Sequence, residues 1–303
     1  MLQRKMVIAS THIDRHNEKI SLECLQIMAR KFSASYFPVT VEHDPRITPI
    51  GRTSSAELRK RDDGEHELVV TAEIFEEDDG DYAANGKCFN LPNSDRTGLV
   101  IEFDRSFCNP EDRQDVLAIG DLLGSKPVEQ CKKALDPISI LQISGKFALI
   151  AIAAGFFGQI GADGWTFLKK RLSELFERKR KLKRDYLFVF DALVAVDSSR
   201  RVNVQIIFTN PTGSTFDREY ADSLANLDLV LPVYVERLPE MRKFVFEAKE
   251  GEIDLKFALR ADCLPFRPEK PTRELLAQIR QQASSRPHSN HSARRPKKRK
   301  DTQ

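Results

Sequence analysis

Twelve consecutive residues, Phe147 to Gly158, carry no charged or strongly polar side chain. A bilayer-spanning helix needs about 20 such residues, so the run is short for a crossing. Asp163 interrupts any extension. The glycines at 155, 158, 161 and 164 recur every three residues, drift slowly around one side of a helix, and let a neighbour approach closely. This spacing predicts a buried core helix continuing through Trp165, Leu168, Leu172, Leu175 and Phe176 and ending in the basic stretch 178–184. A second reading is interfacial. Phe156, Phe157, Trp165 and Phe167 stand beside that Lys/Arg cluster, so residues 147–168 would contact an anionic membrane.

Before this segment the pattern is mostly β. Strands are expected at 6–12, 37–42, 48–59, 67–75, 98–104 and 137–144, and helices at 21–33, with Ser21 as N-cap, and 110–134. The runs 52–59 and 67–74 flank Arg61-Asp62-Asp63-Gly64, a hairpin turn. After the segment, strands at 186–196 and 202–209, a helix at 217–227, and strands at 229–236, 243–248 and 253–260 predict a small α+β unit ending near Pro265. A short helix at about 272–283 precedes a Pro/Ser/His/Arg-rich remainder of the kind that stays disordered. The expected organisation is residues 1–145, a glycine-rich helix with a basic end at 146–185, an α+β domain at 186–266, and a short helix with a basic tail at 267–303.

The net charge of +3 is a cancellation. From Arg267 onward there are 11 Lys/Arg against 3 Asp/Glu, a surplus of +8; the other 266 residues hold 37 against 42, or −5. Nucleic-acid or other phosphate contact is therefore expected of the tail, through Arg294, Arg295, Lys297, Lys298, Arg299 and Lys300, without sequence preference. The five cysteines form no CxxC pair, and no Walker, GxGxxG or HExxH pattern occurs, so neither a metal nor a cofactor is indicated. The first residues lack a long apolar stretch, and the cysteine usage fits a reducing, cytoplasmic compartment.

One local pattern bears on chemistry. Val41-Glu42-His43-Asp44-Pro45 precedes Pro49-Ile50-Gly51-Arg52, and a histidine at a strand end is placed to act as a general base. The opening strand ending in Ala9-Ser10-Thr11, the Asp14-Arg15 turn, this His-Asp-Pro with Ile-Gly-Arg, and the hairpin strand Leu-Val-Val-Thr-Ala-Glu-Ile together resemble the prohead (capsid-maturation) serine proteases of tailed phages over residues 6–145. The resemblance implies a fold similar to herpesvirus assembly proteases, in which His43 would pair with a serine on a later strand and an acid would orient it. The matching strand is Gly98-Leu99-Val100-Ile101-Glu102-Phe103, and Val100 stands at the nucleophile position. Asp136 is the approximate match for the acid. Valine cannot attack a carbonyl, so the resemblance implies a pseudoprotease holding a peptide or protein segment around His43, Val100 and Glu102. The alternatives are an active serine protease using His43 with Ser106 or Ser94, a Cys-His pair with Cys88 or Cys108, and the membrane-acting reading of 147–168. The expected fold class is α+β, with a β-rich N-terminal domain; the oligomeric state is left open.

Overall fold

A computed structural model describes residues 2–12, 19–41, 44–76, 87–89, 91, 98–130, 138–183, 185–213 and 216–285. Among them the chain is mixed α+β, with five α-helices and two sheets. In the first sheet β1 (Leu2–Ser10) pairs with β4 (His66–Ile74), which pairs with β3 (Gly51–Lys60), and β3 with β2 (Pro38–Val39), all antiparallel. Helix α1 (Leu22–Ala34), capped by the Ser21 side chain, buries Leu25 against Leu68 and Ala9 on one face of this sheet.

The second sheet has eight strands in the order β12-β11-β10-β9-β8-β7-β5-β6. They are β5 (Val100–Asp104), β6 (Val128–Gln130), β7 (Ser139–Ala148), β8 (Tyr186–Ala195), β9 (Arg201–Thr209), β10 (Met241–Lys249), β11 (Glu252–Arg260) and β12 (Pro265–Phe266). The boundary expected at residue 145 falls inside β7, which pairs in parallel with β8 over ten positions; residues on both sides of it build this one sheet. Helices α2 (Pro110–Leu122), α3 (Ile152–Lys181), α4 (Phe216–Arg237) and α5 (Thr272–Ser285) contribute to the main core, where alternate strand residues such as Phe188, Phe190, Val204, Ile206 and Phe246 point.

Three expectations are corrected. Residues 229–236 are helical, not a strand. Tyr220, Leu224, Leu227, Leu231 and Tyr234 are buried at helical spacing, so burial on one face outweighs the β preference of Val230, Val233 and Val235. The helix expected to run to 134 stops at Leu122, because Gly124 takes φ 63° and lets the Ser125 amide reach the Gly120 carbonyl (2.9 Å). Phe147 lies in the last residues of β7 rather than opening a helix, and packs on Phe190 with ring centroids 5.5 Å apart.

Helix α3 is broken at Gly161 (φ 69°, ψ 173°), a backbone state that residues with a side chain rarely adopt. Phe156 before the break is fully buried among Phe190, Tyr220 and Trp165, which supports the core reading of this segment. No helix among the described residues is long and apolar enough to cross a membrane. The basic end of α3 is not simply a solvated terminus. Lys179 is buried against Asp112, and Arg178 reaches Asp112 and Asp115 on α2.

The sheets meet near the β11–β12 turn. Arg52 bonds Glu73 Oε2 through Nε (2.8 Å), donates through Nη1 to the Asp262 carbonyl (3.1 Å), and lies over the Tyr36 ring.

Candidate functional site

The face of the large sheet opposite the main core carries a small apolar cluster, Ile140, Leu187, Val189, Ile207, Val245, Phe257 and Leu259. Beside it runs a band of polar side chains set by strand register. One row is Val100, Ser144, Asp191 and Gln205 on β5, β7, β8 and β9. Glu102 and Gln142 are paired in the row next to it, and Asn203 and Lys243 in the row on the other side. Residues two apart share a face of a strand, so all these side chains project together.

Asp191 is the centre of the band and is buried. Asn203 Nδ2 donates to Oδ1 (2.5 Å), and Gln205 Nε2 (2.6 Å) and Gln142 Nε2 (3.4 Å) donate to Oδ2. Gln142 also donates to Glu102 Oε2 (3.1 Å) and Ser144 Oγ (3.0 Å). A carboxylate only accepts, so the flanking amides must turn their NH2 groups toward it. Their oxygens, Asn203 Oδ1 and Gln205 Oε1, are left buried without a hydrogen bond. Burial pushes the Asp191 carboxyl upward, opposed by the positive charge of Lys243 and the two amides on β9. Burial pushes the Lys243 amine downward, opposed by Asp191.

The arrangement therefore holds a carboxylate and an amine in a low-dielectric sheet face. It does not set a nucleophile against a base. Ser144 Oγ is bonded by an amide, which cannot take its proton.

The residues singled out from sequence fall in several places. Val100 and Glu102 are buried in β5, an interior strand flanked by β7 and β6. Ser106 follows β5 in a short 3-10 helix, Arg105–Phe107. Its hydroxyl donates to Asp104 Oδ1 (2.5 Å), and its carbonyl accepts from Lys179, so it serves a local turn. Cys88 is exposed and Cys108 packs at the rim of the main core. His43, Ser94, Asp136 and the tail cations Arg294, Arg295, Lys297, Lys298, Arg299 and Lys300 lie outside the described residues.

The described neighbours of His43 meet the large sheet away from Val100. Arg46, ion-paired with Asp44, reaches Thr209 Oγ1 (3.5 Å). Thr209 lies three strands across and four residues along from Val100, roughly 20 Å at ordinary strand spacing. Residues 38–39, which precede His43, and 100–104 belong to different sheets.

Sequence reasoning passed over Gln142, Asp191, Asn203, Gln205 and Lys243. Their signal was present: Asp191 is the sole charge in the ten residues of β8, and Asn203 and Gln205 alternate with apolar residues in β9. Among the described residues no group of three His, Cys, Asp or Glu side chains is placed to hold a metal ion. No family model, curated protein or solved structure matches the chain.

Proposed function

We infer that this chain is a non-catalytic, protease-like binding or assembly module of bacterial or phage type, which holds an extended peptide or protein segment. The observation that carries the reading is the setting of Val100. It stands where the resemblance calls for a nucleophile, buried in an interior strand, in line with an amide-bonded serine and a carboxylate. Ser106, which follows β5, gives its proton to Asp104 rather than to a histidine, which also favours binding over acyl transfer.

The test is a fluorophosphonate probe on the full chain, beside the His43→Ala and Ser106→Ala variants. The expected result is no labelled serine in any of the three. Labelling of one serine that disappears in His43→Ala overturns the reading and restores an active serine peptidase.

A further inference from the structure

Among the described residues four strands end the two sheets, and they are unequal. β2 and β12 have two residues each and β6 has three, whereas β1 has nine. Short edges offer little to a foreign strand, but a long edge leaves a row of backbone N–H and C=O groups open to pairing. β1 pairs only with β4 among the described residues. The β-bulge lies between Val7 and Ala9, so Leu2–Val7 forms an uninterrupted ladder. Leu2 and Val7 are 45% and 52% exposed, so apolar contact accompanies the free backbone.

Charge selects the occupant. β1 carries Arg4 and Lys5 and no acid. Arg4 has no ion-pair partner among the described residues, and Lys5 has one exposed contact, with Glu57 (3.1 Å). Two copies of β1 laid edge to edge over Leu2–Val7 would set four cations along one seam with no acid on either strand. An acidic strand meets the same edge with opposite charge and gains from it in encounter and in specificity.

Resting on the binding-module reading, we propose that β1 is the docking edge and that its partner is an extended acidic segment of another protein, which adds to the four-stranded sheet as a fifth strand beside Leu2–Val7. Backbone pairing supplies the affinity and the Arg4 and Lys5 side chains supply the preference for acid, as in other complexes formed by strand addition.

The probe is a labelled peptide of alternating Glu-Glu and Val-Val pairs, which presents acid on both faces of the strand as Arg4 and Lys5 present cations, with a twin in which Lys replaces Glu. Binding to the full chain is read by fluorescence anisotropy, and the site by hydrogen–deuterium exchange. The acidic peptide is expected to bind at least tenfold tighter than its twin and to slow exchange within residues 2–10. Arg4→Glu with Lys5→Glu, both at exposed positions, is expected to reverse the preference. Protection confined to other residues overturns the edge but spares the module reading; cleavage of the peptide overturns the module reading itself. Protection of 2–10 that grows with protein concentration, without peptide, makes a second copy the occupant and also overturns the proposal.

Discussion

Lys179 Nζ lies 2.9 Å from Asp112 Oδ2, and the two side chains are 2% and 1% exposed. The pair joins the end of α3 to the start of α2, with the ammonium also over the Phe107 ring. Removing one member of a buried pair strands the other charge, at about 3–5 kcal/mol. Asp112 keeps its ion pair with Arg178, so Lys179→Met is expected to lose stability at or below the low end of that range by urea denaturation. Lys179→Met with Asp112→Leu, which leaves neither charge buried, is expected to recover much of it. A double variant no better than the single one would show that the pair is not the origin of the loss.

Arg52 is the strut between the sheets, and its fork serves Glu73 and Asp262 at once. A lysine has the charge but not the planar geometry for two directions. Arg52→Lys is therefore expected to cost about 2 kcal/mol and Arg52→Ala about 4 kcal/mol, with the larger effect arising from stranded acids. Limited proteolysis of Arg52→Ala is expected to cut near residues 260–265 faster than in the parent chain.

Asp191→Asn replaces a pure acceptor with a group that must present one NH2 to donors already aimed at it. The expected loss is about 3 kcal/mol in chemical denaturation. Asp191 also holds the Lys243 amine up against the effect of burial. Its removal is expected to lower that amine's titration point further, as read by NMR of the lysine ε-methylene. An unchanged titration would separate the two groups.

The first amides of α3 have no side-chain cap of their own, since the N-cap is Ala151. Asp228 on α4 supplies it, accepting from Ile152 N (2.9 Å) and Ala153 N (3.2 Å). Asp228→Ala is expected to cost about 1 kcal/mol and to speed amide exchange at 152–153. Burial raises the Asp228 carboxyl above its ordinary value of 3.8. For a raised group the contribution to stability is complete below the unfolded value and is lost as pH rises through the folded one. Asp228→Asn is expected to flatten the fall in stability with rising pH over that acid window.

Ser106→Ala removes one of the bonds to Asp104, which also accepts from the Ser106 and Ile140 amides. About 1 kcal/mol of stability is expected to be lost. Peptide binding, measured with the acidic probe, is expected to be unchanged.

Most elements were legible because their periodicities were strong. The hairpin at 61–64, the Ser21 cap, and strands 186–195 and 201–209 follow from local alternation and turn chemistry. The misreadings came where burial on one face competed with local preference, as at Val230–Val235, or where a single glycine ended a helix early, as at Gly124. The polar band was visible residue by residue as polar intrusions in apolar strands. Its assembly was not, since Glu102, Gln142, Asp191 and Gln205 come together only through register across four strands.

The sequence by itself determined that the apolar run 147–158 is short for a bilayer crossing, that the chain would be rich in strands, and that Val100 has no nucleophilic atom. These are properties of single residues or of short periods. Tertiary structure alone decided that β5 and β7 share a sheet with β8–β11, that Lys179 points inward, and that β1 is left at an edge. Strand order and the partner of a buried charge depend on contacts tens to hundreds of residues apart, and no local spacing encodes them.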